Sequence, residues 1–170
     1  MSIVYLGTSE FAAAVLERLA QSDGCRPALV VTRPDRPAGR GRRLTAPPVA
    51  ERARELGLAL AQPASVNAEE ARAQIVDAGA ATVVVCAFGA IIKEPLLSEH
   101  EILNVHPSLL PRWRGAAPIE RAIMAGDRCS GVSVMRVSAG LDSGPLALQE
   151  ETAIGPEDEL QVSRKYMPPP

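Results

Sequence analysis

Apolar runs of strand length alternate with amphipathic segments of helix length along most of the chain, and this alternation leaves few possible architectures. Ile3–Leu6 is a short β-rich run that stops at Gly7-Thr8-Ser9. Glu10–Gln21 then carries Phe11, Val15, Leu16 and Leu19 at helical spacing. Ala28–Thr32 reads as a second strand, Val49–Leu56 as a second helix ended by Gly57, and Leu58–Ala61 as a weak third strand. Asn67–Ala78 reads as a third helix with Asn67 as its N-cap. Ala81–Ala87 (ATVVVCA) is a continuous apolar run, the pattern of a strand covered on both faces by helices. Ile102–Val105, Val132–Val137 and Pro145–Glu150 supply further strands, with a helix over Pro118–Ala125. The fold class predicted is α/β: a Rossmann-like, open, mostly parallel sheet with helices on both faces. Ligands of such sheets sit beyond the carboxyl ends of the strands. That rule directs attention to the loops 7–10, 33–46, 87–93, 106–117 and 138–144.

Composition narrows the function classes. The 170 residues are 46% hydrophobic and 22% charged, enough for one well-packed domain and too apolar for a disordered chain. A net charge of −2 excludes a protein that is basic overall, and 3% aromatic residues argue against base-stacking sheets. Cys25, Cys86 and Cys129 are odd in number and widely spaced, which suits a reducing cytosol better than a disulfide scaffold or a zinc site. No apolar run approaches the roughly 18 residues of a membrane span. The opening MSIVYLGTSEF lacks the basic start and long apolar stretch of a secretory signal. The expected setting is cytoplasmic, with no membrane partner and no metal.

Three loops carry candidate chemistry. Gly7 is a single glycine where a dinucleotide fingerprint needs G-x-G-x-x-G, so it is read as a tight turn that lets the next helix pack on the sheet. The stretch 33–43 holds Arg33, Arg36, Arg40, Arg42 and Arg43 with one aspartate, two prolines and two glycines. It reads as an irregular exposed loop, either an anion trap for phosphates or simply a solvated segment. Asn104 and His106 stand two apart at the end of a strand, so both side chains leave the same face, and a proline-fixed loop follows. The other histidine, His100, lies between two glutamates and reads as a solvated helix end. Asp142, in Gly140-Leu-Asp-Ser-Gly144, is either a turn former or the third member of a site with His106.

An Asn, a His and an Asp suit acyl transfer to an amine without a covalent enzyme intermediate. Asn104 would donate to the oxygen of a tetrahedral intermediate, and His106 would polarise the carbonyl or shuttle a proton. Asp142 would orient the imidazole or accept the proton of the amine. No serine or cysteine nucleophile stands beside them except Ser108, whose backbone is fixed by Pro107.

At these residues the chain resembles the methionyl-tRNA formyltransferase branch of the folate-dependent formyltransferase family. The motifs that carry the resemblance are Gly7-Thr8-Ser9-Glu10-Phe11, the arginine stretch 33–43 with Leu44-Thr45, Asn104 through Ile119, and Gly140-Leu-Asp-Ser-Gly144. The resemblance implies the formyltransferase fold, and transfer of a formyl group from 10-formyltetrahydrofolate to the α-amine of methionine on initiator tRNA. It makes Asn104, His106 and Asp142 catalytic and places Ser108, Leu109, Leu110 and Pro111 against folate. It assigns Phe88, Gly89 and Ile91, in the segment Cys86–Ile92, to the pterin pocket. The arginines 33, 36, 40, 42 and 43 would meet the tRNA acceptor stem. An aminosugar or glycinamide ribonucleotide acceptor, a non-catalytic folate- or tRNA-binding remnant, and a hydrolase releasing formate remain alternatives.

The chain departs from the family pattern at Ser143 and Pro145, where Gly-Leu-Asp-Thr-Gly-Asp is usual, and at Ala12-Ala13-Ala14. Family-like sequence reaches about Glu159, whereas relatives continue into a further helical part and a second, β-barrel-like domain. The expected organisation is a catalytic domain over 1–160 lacking its C-terminal part, then an irregular proline-ended tail over 161–170.

Overall fold

The computed structural model describes residues 2–38 and 42–158. The expected tail over 161–170 and Arg40 lie outside the described residues. The chain divides into two compact units, Met1–Leu103 and Asn104–Pro170.

In the first unit β1 (Ile3–Gly7) is buried at every position, as a central strand covered on both faces must be. It pairs in parallel with β2 (Pro27–Val31) and with β6 (Thr82–Cys86), and β2 pairs in parallel with the two-residue β5 (Leu60–Ala61). The order is β5-β2-β1-β6, followed by β7 (Glu101–His106), which begins in this unit and ends in the next. Strand order reverses beside β1, so the loops after β1 and β6 flank a switch point of the kind that holds ligands in open α/β sheets.

The helix α1 (Glu10–Gln21) begins where Ser9 takes an extended backbone and its hydroxyl accepts the Ala12 N–H at 3.2 Å. Gly7 explains how closely this helix sits. A Cβ there would stand 2.9 Å from both the Ala12 Cβ and the Tyr5 ring, and 3.1 Å from the Cys86 carbonyl. The buried Tyr5 hydroxyl, its titration pushed well up by that burial, donates to the Ala12 carbonyl at 2.6 Å. Helix α2 (Pro48–Glu55) opens on proline at its first turn, where a missing N–H costs nothing.

Three readings of this unit are corrected. The arginine stretch is not irregular throughout: β3 (Arg36–Ala38) and β4 (Arg43–Thr45) form an antiparallel ribbon. A two-stranded ribbon consists only of edges, so Pro37 interrupts no interior ladder. Helix α3 (Glu69–Asp77) is preceded at its cap by Ala68, not Asn67. The Asn67 amide is instead spent on a distant loop, described below. A short helix, α4 (Leu96–Glu99), precedes β7. His100 closes it half-buried rather than solvated, and its Nε2 is buried without a hydrogen-bond partner among the described residues.

The second unit holds the end of β7, helix α5 (Pro118–Met124), β8 (Cys129–Arg136) and β9 (Leu146–Ala153), in the strand order β7-β8-β9. β8 and β9 are antiparallel, with a register shift at Val134/Met135. The sheet class is therefore the α/β, mostly parallel one expected from the alternation. Pro145, one of the two departures near the Asp142 loop, offers no N–H, but its carbonyl still accepts the Arg136 N–H at 2.9 Å. No helix among the described residues is long and apolar enough to cross a membrane.

Candidate active site

β7 ends in the second unit with Asn104 and His106 two residues apart, and the loop between β8 and β9 brings Asp142 to them. Asn104 Nδ2 donates to Asp142 Oδ1 at 3.3 Å, and His106 Nδ1 faces Asp142 Oδ2 at 3.6 Å. The latter is an ionic approach, too long for a direct hydrogen bond. The Gly115 N–H also donates to Asp142 Oδ2, at 2.8 Å. One carboxylate thus gathers an amide, an imidazole and a backbone donor. The side chains of His106 and Asp142 are 7% and 14% exposed, so their interactions are little screened by water.

The other face of the imidazole is fixed by backbone. His106 Nε2 lies 2.9 Å from the Trp113 carbonyl, an oxygen that only accepts, so the hydrogen sits on Nε2. In the neutral form of the ring the Nδ1 lone pair then lies on the carboxylate side, and in the protonated form the Nδ1–H does. The loop that presents this carbonyl is bent unusually: Trp113, Gly115 and Ala117 have φ of 60°, 82° and 52°. Left-handed backbone costs about 1–3 kcal/mol at each non-glycine residue and persists only where surrounding contacts enforce it. Asp142 itself has φ 42°.

The second-unit residues that the resemblance assigns to folate divide by exposure. Ser108 is fully buried, its hydroxyl donating to the Arg112 carbonyl at 2.7 Å and its N–H to the His106 carbonyl at 2.9 Å. Leu110 is buried, Leu109 half-buried, and Pro111 exposed after a cis peptide bond. This loop hangs on Ser133, a buried residue of β8. The Ser133 hydroxyl donates to the Ser108 carbonyl at 2.6 Å and accepts from the Leu110 N–H at 3.1 Å and from Gln149 Nε2 at 2.9 Å. Gln149 Nε2 also donates to the Leu110 carbonyl at 2.8 Å.

In the first unit the segment after β6 holds Phe88, buried, and Gly89 and Ile91, exposed. Three side chains from elsewhere hold its backbone. Thr8 Oγ1 donates to the Phe88 carbonyl at 2.8 Å, and Arg33 Nη1 to the Gly89 carbonyl at 2.9 Å. Asn67 donates to the Ile91 carbonyl and accepts from the Lys93 N–H, each at 2.9 Å. Cys86, just before this segment, is buried, which pushes its thiol up to about 12 and leaves it unreactive as a nucleophile.

Arg33 is thus half-buried and turned to this segment, while Arg36, Arg42 and Arg43 are exposed in or beside the ribbon. The ribbon register, Arg36 opposite Thr45 and Pro37 opposite Leu44, puts Arg36 and Arg43 on one face and Pro37 and Leu44 on the other. Sequence reading missed Trp113, Gly115, Ser133 and the Thr8–Asn67 anchors. The chain's single tryptophan inside a histidine-bearing loop was the one available signal. Among the described residues no group of three or more His, Cys, Asp and Glu is placed to hold a metal ion.

Comparison with known proteins places the chain in a family. The profile of the formyl transferase family matches residues 1–166. Methionyl-tRNA formyltransferase of Cereibacter sphaeroides is 45% identical over 163 residues, 95% of this chain and 53% of that protein. Its counterpart of Neisseria gonorrhoeae is 48% identical over 161 residues, 93% of this chain and 52% of that one. The chain spans about half the length of the curated relatives it matches. Among solved structures, phosphoribosylglycinamide formyltransferase from Bacillus halodurans shares the fold with a TM-score of 0.72 at 23% identity, over 99% of this chain and 92% of that one. Glycinamide ribonucleotide transformylase 1 from Geobacillus kaustophilus superposes with a TM-score of 0.71 at 26% identity, over 98% and 94%. With its motifs in order along the profile and its polar residues gathered at one carboxylate, the chain belongs to the formyl transferase family.

Proposed function

We propose that this chain moves the formyl group of 10-formyltetrahydrofolate onto the α-amine of methionine carried by initiator tRNA. The observation that carries the reading is the convergence of Asn104 and His106 on the Asp142 carboxylate. Their arrangement suits direct attack by an amine. The amine nitrogen bonds to the formyl carbon, and the carbonyl oxygen gathers negative charge. The bond from that carbon to N10 of the folate then breaks, and the proton lost by the amine ends on N10.

Asn104 Nδ2 gives one hydrogen to Asp142 and keeps the other for the developing oxyanion. His106 stands with Nδ1 toward Asp142, and that pair serves to take the proton from the amine and pass it on. Ser108 and Leu110 shape the folate-contacting loop from inside, while Leu109 and Pro111 offer it surface. Phe88, Gly89 and Ile91 are assigned to the pterin by resemblance alone. The acceptor is read from the exposed Arg36, Arg42 and Arg43, whose guanidinium forks suit phosphate oxygens; Arg40 is included by sequence only. Arg33 has another job within reach, holding Gly89. The setting proposed is cytoplasmic. A glycinamide or aminosugar acceptor would use the same three groups but would need no arginine ribbon.

The test is single-turnover formylation of methionyl-tRNA with 10-formyltetrahydrofolate in excess, for the intact chain and for His106→Ala. Product that depends on the histidine and falls steeply with added salt supports the reading. Equal rates with and without the histidine would overturn the mechanism, and transfer to a small amine with no response to tRNA would overturn the acceptor.

A further inference from the structure

The Trp113 carbonyl that fixes His106 belongs to a residue in left-handed backbone, and a bulky aromatic does not hold that conformation unaided. Its indole shows what enforces it. Trp113 Nε1 donates to Asp127 Oδ2 at 2.7 Å, an aspartate just beyond the end of α5. Arg112 closes on the same carboxylate with both edges of its fork, Nε to Oδ2 at 2.8 Å and Nη2 to Oδ1 at 2.6 Å. The guanidinium also lies over the indole ring, 4.5 Å from its centre, and that of Arg121 lies 5.2 Å from it. The Arg112 carbonyl accepts the buried Ser108 hydroxyl. Arg112 and Trp113 are therefore both pinned to Asp127, and Arg112 also to Ser108.

From this chain of contacts we infer that Asp127 is a positioning residue, acting through the Trp113 indole to aim the backbone carbonyl that sets the tautomer and tilt of His106. Asp127 touches none of the three groups assigned to the reaction. The inference rests on His106 being the acting group only for its consequence in catalysis, because the effect on the ring is physical and observable by itself.

Two substitutions separate the links. Trp113→Phe removes the N–H that reaches Asp127 and keeps an aromatic ring under Arg112. Asp127→Ala removes the acceptor of the indole N–H and of the Arg112 fork together. The primary readout is the nitrogen-15 spectrum of the His106 ring in the full chain, at a pH where the ring is neutral. The wild type is expected to show one tautomer with hydrogen on Nε2, and both variants a mixture. Single-turnover rates should fall in parallel, by roughly the 10²-fold that an ångström-scale misplacement costs, with little change in folate affinity. The double variant should be no slower than the slower single one, because the two residues act in series.

An unchanged His106 spectrum in either folded variant overturns the inference, as does a double variant whose losses multiply. Should Asp127→Ala fail to fold, Trp113→Phe decides the question by the same spectrum. If His106→Ala retains full activity, the proposed mechanism fails while the spectra still judge the positioning role.

Discussion

Replacing Asp142 by asparagine preserves size and a residue type that tolerates the left-handed φ of 42°, so its effect is chemical. In the wild type both carboxylate oxygens accept, Oδ1 from Asn104 at 3.3 Å and Oδ2 from Gly115 at 2.8 Å. Asparagine has one oxygen. With that oxygen on Gly115, the new amide N–H points at the Asn104 amide, donor against donor. Asn104 can relieve the clash only by rotating its own amide, which turns its oxygen to residue 142 and moves its donor away from the place of the oxyanion. Stability then falls by only about 1 kcal/mol, the net worth of one hydrogen bond. The rate loses an oxyanion donor and the negative charge facing His106, each worth about 10²–10³. Groups that act as one unit are not additive, so the two losses do not multiply in full, and the expected loss in single-turnover formylation is about 10²–10⁴-fold, or about 3–5 kcal/mol at the transition state. Thermal unfolding and folate binding, measured on the same sample, should be nearly unchanged. A rate within about tenfold of wild type in a folded Asp142→Asn chain would refute the assignment of the carboxylate to the reaction.

Three further outcomes are expected. Ser133→Ala strips a partner from the Ser108 carbonyl and the Leu110 N–H, both on buried residues, and from Gln149, so it should lower stability by about 1–3 kcal/mol in urea unfolding and weaken folate binding; loss of neither would show that the loop is held elsewhere. Arg112 and Trp113 hold the Asp127 carboxyl at about 2, below its ordinary range. A depressed acid stabilises the fold fully above about pH 4 and loses that contribution as pH falls through about 2, so the melting-temperature gap between wild type and Asp127→Asn should close on acidification from about pH 5. A gap independent of pH would refute the charge-based origin. Replacing Arg36, Arg42 and Arg43 together by alanine should leave folate binding intact and flatten the log–log salt dependence of tRNA binding by about 2–3; an unchanged slope would put the phosphate contacts elsewhere.

Legibility in the sequence varied with the range of the interaction. Helix α1 was readable to the residue because its signals are local: Ser9 caps it and the apolar spacing persists to its end. Asn104 and His106 were readable because strand periodicity puts them on one face, and Asp142 because a loop after a strand was the natural place for a partner. The ribbon was missed because proline and glycine count against strands, and only its all-edge geometry makes Pro37 harmless. Asn67 was misread because a cap and a long-range backbone anchor use the same amide, and nothing local distinguishes them. Trp113 and Asp127 meet across 14 residues with a helix between them, a contact that no period or spacing encodes.

The ribbon of Arg36–Ala38 and Arg43–Thr45 has two unlike faces, and their thermodynamics differ. Arginine–phosphate contact draws its strength from released counterions and fades as bulk salt rises. Apolar contact through Pro37 and Leu44, the latter 70% exposed, has no such dependence and is strengthened by excluded salts such as sulfate. Binding followed from dilute buffer to about 1 M salt, where charges are screened within about 3 Å, therefore resolves the ribbon into its sides. On the proposed reading, the slope would count the phosphates neutralised by the arginines, and a contribution of Pro37 and Leu44 would show in the affinity left at the end of the titration.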